Sequence, residues 1–289
     1  MFRFHLPLYG ACALFCIALA VSSCAPPPQT TLGQNAAPPS GETFTNSIGM
    51  EFVRIPAGSF LRHFSVKAKD PGEKPYRPKV TISKPFYLGK YEVTQKQWMA
   101  VMGNNPSQFK GLFKGQHPVE MVSWDNAQEF IRRLNEAEGH NRYRLPTEAE
   151  WEFAARGGTD RLFFFMEDPK TWEEAEGPLD DYAWCRYRYE GGSTFAVGQK
   201  KPNPYGLYDI YGNVWELVQD RYEDLPEDRE VRDYYAPARS TDLKYAELRV
   251  FRGGGWYSFA AHCRSNSRFS IARHAISNDT GFRLALSIE

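Results

Sequence analysis

Two places in this 289-residue sequence hold residue types that could do chemistry: a cysteine near the C-terminus, Cys263, and a carboxylate-flanked turn from Asp209 to Glu216. Thiolates in pairs are soft donors that select Cu(I). Cys263 has no cysteine close by in sequence, and Cys185 is not expected to supply a second copper ligand. Cys263 therefore reads as a small, partly buried core residue. In Asp209-Ile210-Tyr211-Gly212-Asn213-Val214-Trp215-Glu216 the two acids offer hard carboxylate oxygens, while Gly212 and Val214 can present main-chain carbonyls in a glycine-permitted turn. Oxygen donors from side chains and main chain along one tight loop are what Ca²⁺ selects. The same residues also suit a buried turn in which Asp209 caps backbone groups and Glu216 joins an ion pair.

Other chemistries find less support. The six histidines (His5, His63, His117, His140, His262 and His274) include no pair four apart, so the zinc-protease pattern is absent. Gly253-Gly254-Gly255 lacks the following lysine of a phosphate loop and reads as a place where strands approach closely. Arg283, in Gly281-Phe282-Arg283, reads as a buried ion-pair partner rather than a substrate contact.

The N-terminus carries a processing signal. Arg3 precedes an almost unbroken apolar stretch from Leu6 to Val21, and small residues then lead into Cys24. The stretch is about sixteen residues, short of the roughly 20 that span a bilayer. Val21-Ser22-Ser23-Cys24 resembles a bacterial lipoprotein cleavage site, which implies a signal at 1–23 and acylation of Cys24. Residues 24–42 are rich in Pro, Ala and Gln and too poor in apolar groups to fold, as suits a tether. Ala25 after the cysteine points to the outer membrane, facing periplasm or surface. With 35 basic and 35 acidic residues the formal charge is zero, which argues against a nucleic-acid groove or a polybasic membrane patch. Cys12 and Cys16 leave with the signal and Cys24 is acylated. Cys185 and Cys263 then remain, able to pair in an oxidising compartment but too few for a disulfide scaffold.

Residues 43–289 read as one α+β domain with much irregular structure. Met50 to Phe60 reads as a strand ending in a turn, with Phe52, Ile55 and Phe60 inside. Residues 62–78 read as a loop, and β-formers cluster at Val80–Ile82, Phe86–Leu88 and Tyr91–Val93. Three helices carry start signals: Thr94 with Gln97, Ser123 ahead of Ala127, Phe130, Ile131 and Leu134, and Thr147 with Glu150. Beyond residue 160 no long helical period is visible, and Glu223 to Asp233 reads as a solvated acidic loop.

Four strings occur in order. The first is Gly49-Met50-Glu51-Phe52-Val53 through Ile55-Pro56-Ala57-Gly58-Ser59-Phe60, with Tyr91-Glu92-Val93-Thr94. The second is Tyr143-Arg144-Leu145-Pro146-Thr147-Glu148-Ala149-Glu150-Trp151 through Gly158. The third is Pro202-Asn203-Pro204-Tyr205-Gly206-Leu207-Tyr208 through Glu216. The last runs Arg252-Gly253-Gly254-Gly255-Trp256, Cys263-Arg264-Ser265-Asn266-Ser267-Arg268 and Gly281-Phe282-Arg283. Together they resemble the formylglycine-generating enzymes of the sulfatase-modifying factor family. The resemblance implies a fold related to C-type lectin-like domains. It also implies a structural Ca²⁺ at Asp209, Gly212, Val214 and Glu216. The family's other calcium site does not carry over, because Ala183 and Trp184 stand where an asparagine is expected. In the catalytic members two cysteines hold an oxygen-activating copper ion, the second five positions after the first. Cys263 is then the candidate catalytic residue, and Arg268 stands where its partner is expected.

The expectation is therefore a cell-envelope lipoprotein whose domain is a non-catalytic binding or assembly module, engaging an envelope protein or an exported polypeptide. Two enzymatic alternatives stand beside it. One is a formylglycine-generating copper oxidase acting on a cysteine of an exported protein. The other is a periplasmic oxidoreductase like those of siderophore tailoring.

Overall fold

Three local capping devices set the helical part of the fold. In a computed structural model of the chain, which describes residues 42–62, 77–110, 114–185, 192–223, 230–236 and 246–288, Thr94, Ser123 and Thr147 each accept the third backbone N–H of the helix that follows. Gln97, Asn126 and Glu150 return the bond to the cap backbone, and each such box contributes about 1 kcal/mol. The helices are α1 (Gln95–Met102), α2 (Trp124–Glu138) and α3 (Glu148–Arg156), and each ends on a left-handed glycine: Gly103, Gly139 or Gly157. A fourth helix, α4 (Trp172–Leu179), lies beyond residue 160, where no long helical period is visible in the sequence. Gly177 and Pro178 in its last turn, with buried Ala175 and Leu179 on a single short face, hide its period.

The strands form three sheets. The first runs in the order β1 (Thr43–Thr45), β2 (Glu51–Ile55), β5 (Phe86–Gly89), β12 (Ala285–Ser287), β6 (Tyr143–Arg144). The second is β10 (Arg268–Ala272), β9 (Leu248–Arg252), β7 (Trp215–Arg221), β11 (Thr280–Gly281). The third joins β3 (Gly58–Leu61), β4 (Lys79–Ile82) and β8 (Glu230–Arg232). Met50 to Phe60 is thus two strands, while Tyr91–Val93 runs outside any named strand. The end of the expected acidic loop is strand β8, which pairs in parallel with β4. Residues 63–76 of the expected loop at 62–78, and residues 224–229, lie outside the described residues, as do residues 1–41 of the signal and tether with Cys24.

Rings rather than long helices fill the interior. Trp98 of α1 stacks on Phe130 of α2 with centroids 5.4 Å apart, and Phe282 meets both edge-on. Phe52, Ile55 and Phe60 are buried as expected, and so are Trp151, Ala154 and Ala155 of α3. The described residues belong to one compact unit. Among them no helix is long and apolar enough to cross a membrane.

Candidate functional site

The loop leading into β7 is tight for local reasons. Asp209, Gly212 and Asn213 have φ of 51°, 80° and 55°. A Cβ on Gly212 would lie 2.5 Å from the Trp184 carbonyl oxygen. The Gly212 N–H donates to the Gly253 carbonyl at 3.0 Å and the Asn213 N–H to that of Trp184 at 2.9 Å, so three distant segments are laced together here.

Behind this loop lies a buried ionic cluster. Arg283 donates to both oxygens of Glu216 at 2.6 and 2.7 Å, and to the carbonyls of Gly89, Lys90, Tyr208 and Asp209. Trp151 Nε1 adds a 2.7 Å bond to Glu216. Arg283 is therefore a buried ion-pair partner, as its setting in the sequence suggested. Glu92, missed as a site residue, accepts from the Val214 N–H and the Asn213 side chain. Burial, with the charges of Asp209 and Glu216, holds the Glu92 carboxyl well above its usual range. Asp209 Oδ2 accepts from the Gly198 N–H at 2.7 Å, whereas its Oδ1 is buried with no hydrogen-bond partner. Burial pushes the Asp209 carboxyl up to about 6.

The cysteines correct the sequence reading. Cys185 and Cys263 are both fully buried, and their sulfurs are 2.6 Å apart. Cys263 thus has a sulfur neighbour after all, from 78 positions away and not from the residue five positions on. The Gly254 backbone is what lets Cys263 in, since a Cβ there would lie 2.6 Å from its sulfur.

Arg268 has a structural role of its own. Its Nε donates to Glu148 at 2.7 Å and its guanidinium lies over the Tyr222 ring. From there a buried ladder runs through Arg252, which meets Glu148 and Glu152, to Arg156. Glu148, Glu152 and Arg156 follow one another at four-residue intervals on α3. That spacing was visible in sequence, but it would ordinarily mark a solvated face.

An aromatic cleft of about 420 Å³ is walled by Trp215, Phe251, Tyr257, Phe259, His262 and Phe269. Trp215 meets Phe251 and Phe269 edge-on at 4.7 and 5.1 Å. Tyr257, Phe259 and Phe269 are 49%, 55% and 41% exposed, an unusual concentration of large rings in solvent. Burial, with the charge of Arg264, holds His262 below the usual imidazole range. Among the described residues the one Asp, Glu, Lys or Arg that lines the cleft is Asp279, which accepts from Ser277 and Thr280. Sequence reasoning did not single these rings out. Their clustering required the pairing of β7, β9 and β10.

Comparison with known proteins places this architecture. The family model described as sulfatase-modifying factor enzyme 1-like domain matches residues 40–288. The chain belongs to that family. It is 30% identical to "Chaperone protein LppX" of Paenibacillus barcinonensis over 88% of this chain and 95% of that one. It is 33% identical to the formylglycine-generating enzyme of Streptomyces coelicolor over 58% of this chain, and spans about half (52%) of that enzyme's length. Among solved structures, Treponema denticola variable protein 1 superposes with a TM-score of 0.69 at 31% identity, covering 86% of this chain and all of that one.

Membership of the sulfatase-modifying factor family raises two metals, and the residues present suit them differently. Copper does not fit the cysteines as placed. Metal–thiolate bonds of about 2.3 Å hold two sulfurs on one ion about 3.7 Å apart at a tetrahedral angle and about 4.6 Å apart in line. A separation of 2.6 Å is shorter than either. Burial also holds the Cys185 thiol well above its usual range, against the thiolate that a metal requires. A hard divalent cation near Asp209 is compatible in type. Three buried carboxylates (Glu92, Asp209, Glu216) face one guanidinium, and one carboxylate oxygen is unpartnered. Among the described residues no three His, Cys, Asp or Glu side chains converge as a ready cage. Main-chain carbonyls would have to complete any such site.

Proposed function

We propose that this chain is a lipid-anchored envelope protein that holds an extended segment of an exported polypeptide in its aromatic cleft and does not oxidise it. The observation that carries this reading is the cleft itself: partly exposed Tyr257, Phe259 and Phe269 around Trp215, with neither buried thiol among its lining residues. Rigid aromatic rings around a pocket are the composition of interface hot spots. The full-length similarity to a protein named as a chaperone supports a polypeptide as the occupant. In an equilibrium titration, a fluorescein-labelled extended peptide with alternating aromatic and aliphatic residues should bind at micromolar concentration. A scrambled, charge-rich peptide of equal length should not. Equal affinity for the two would remove the basis of the proposal.

The anchor belongs to the same reading. Cleavage before Cys24 and acylation of its thiol hold the domain at the outer membrane, and more than one acyl chain is needed for stable anchoring. Cys24→Ser should move the protein from the membrane to the soluble fraction after fractionation. Unchanged membrane retention would sink the lipidation claim.

Ca²⁺ is assigned a structural place, held by Asp209, Gly212, Val214 and Glu216. When bound it supplies positive charge to the acid-rich cluster. Asp209 and Glu216 contribute side-chain oxygens, Gly212 and Val214 main-chain ones, and Arg283 keeps Glu216 oriented. Saturation at about a hundred times the dissociation constant stabilises by about 2.7 kcal/mol. Millimolar Ca²⁺ should therefore raise the melting temperature, chelator should lower it, and Asp209→Ala should abolish the response. A melting temperature indifferent to both additions contradicts the assignment.

A further inference from the structure

We propose that Cys185 and Cys263 are joined by a disulfide in the exported protein, a cross-link at the end of the short turn that carries His262 of the aromatic cleft. This goes beyond the binding role and shares with it only the premise of export to an oxidising compartment. The two sulfurs, 2.6 Å apart, are well inside the contact distance of unbonded atoms. A disulfide needs 2.05 Å, a further closure of about half an ångström. Both thiols are held in that relation by backbone that is already fixed. Cys185 follows Trp184, whose carbonyl accepts from Asn213 and whose bridge partner Gly212 is bonded to Gly253. Gly254 comes next, and its bare Cα seats the Cys263 sulfur. The cross-link therefore joins segments that are laced together without it, and asks for little new ordering.

Its position relates it to the cleft. Cys263 closes the short 3-10 turn Ala260–His262, with its N–H donating to the Ala260 carbonyl. Phe259, immediately before that turn, and His262, at its end, line the cleft wall. A bond from Cys263 to Cys185 fixes that wall to the loop system around Gly212. It also consumes both thiols, in a compartment where a free one would be at risk of oxidation.

The reaction is thiol–disulfide exchange with an oxidant of the disulfide class, such as an exported oxidoreductase carrying a reactive disulfide. One cysteine thiolate attacks a sulfur of the oxidant's disulfide and forms a mixed disulfide. The second cysteine thiolate then displaces the oxidant's sulfur. One S–S bond forms in this chain and one breaks in the oxidant. The chain loses two electrons and two protons, and the oxidant gains two thiols. Because neither sulfur is exposed in the folded domain, the exchange occurs before folding is complete, and the finished bond is then shielded from reductants.

Peptide mapping tests the bond without any variant. Full-length protein isolated from the envelope is unfolded in iodoacetamide without reductant, digested and analysed by mass spectrometry. The expected result is a linked pair of peptides containing Cys185 and Cys263, which appear alkylated only after reduction. Recovery of both cysteines alkylated without reduction in most molecules would overturn the proposal. A second measurement distinguishes a bond from packing. The loop closed is 78 residues long, so Cys185→Ala and Cys263→Ala should each lower the melting temperature on the order of 10 °C. The double variant should lose no more than either single one. Wild type reduced while unfolded, then refolded without oxidant, should melt with the variants. Additive losses, with wild type unchanged by reduction, would contradict a bond. Peptide affinity is read separately, so failure of the cross-link and failure of the binding role are distinguishable.

Discussion

Arg283→Met should destabilise the domain by about 3–5 kcal/mol, the cost of leaving a buried carboxylate without its cation. Arg283 is completely buried, and its guanidinium satisfies both oxygens of Glu216 and four carbonyls from two other segments. Methionine fills similar volume and returns none of those bonds. Domains of this kind are stable by only about 5–15 kcal/mol, so the loss removes a large share of the whole. Urea denaturation should show the midpoint falling sharply with the slope preserved. Adding Glu216→Leu to Arg283→Met should cost less than the sum of the two single changes, because the double variant leaves no unpaired charge at Glu216. The exposed pair Arg132–Glu129 on α2 provides the control. Its substitution should leave the midpoint within error, since solvent screens such pairs. A similar response at both sites would mean that the buried cluster does not hold the loop.

The second large effect falls on binding. Phe259→Ala and Phe269→Ala remove rings that are 55% and 41% exposed, so neither change leaves a core cavity. Hot-spot rings at the centre of an interface contribute about 2 kcal/mol or more each, roughly a 30-fold change in affinity. Each variant should weaken the test peptide by about that factor while the melting temperature stays put. Trp215→Ala is a poorer probe, because Trp215 is buried and lies at the start of the central strand β7. Full peptide affinity in the Phe259→Ala, Phe269→Ala double variant would move the binding site elsewhere on the molecule.

What could be read from sequence was local. The cap at Thr94 is answered by Gln97 and that at Thr147 by Glu150, three residues on, and both survive folding because nothing distant competes for those groups. Phe52, Ile55 and Phe60 are buried because the spacing of hydrophobic residues along a strand already selects a face. The family resemblance was legible for the same reason, since its strings are short and contiguous. The misses are non-local. Cys185 and Cys263 were read as able to pair, but their closeness could not be read from sequence. Cys185 arrives through the Trp184–Gly212 bridge, which no spacing rule reveals. Arg268 looked like a misplaced charge, yet it closes on Glu148 from 120 positions away. The ladder Glu148, Glu152, Arg156 has the periodicity of a solvent-facing stripe, and only the packing of α3 against β9 buries it. Helix α4 was missed because eight residues containing a glycine and a proline carry too little pattern.

The candidate site divides along the same line. Asp209 and Glu216 were found because they lie on one short loop, whereas Glu92, which holds that loop through Val214 and Asn213, is more than a hundred residues away. The cleft rings come from three regions of the chain and converge only when β7, β9 and β10 pair.

The central claim is that this family member binds a polypeptide and leaves it chemically unchanged. The most direct test incubates the purified protein, supplied with Cu(I) and air, with a cysteine-containing peptide that it binds, and follows the peptide's mass. The peptide is predicted to be recovered with its thiol intact. Conversion of that cysteine to an aldehyde, dependent on Cys263, would contradict the account.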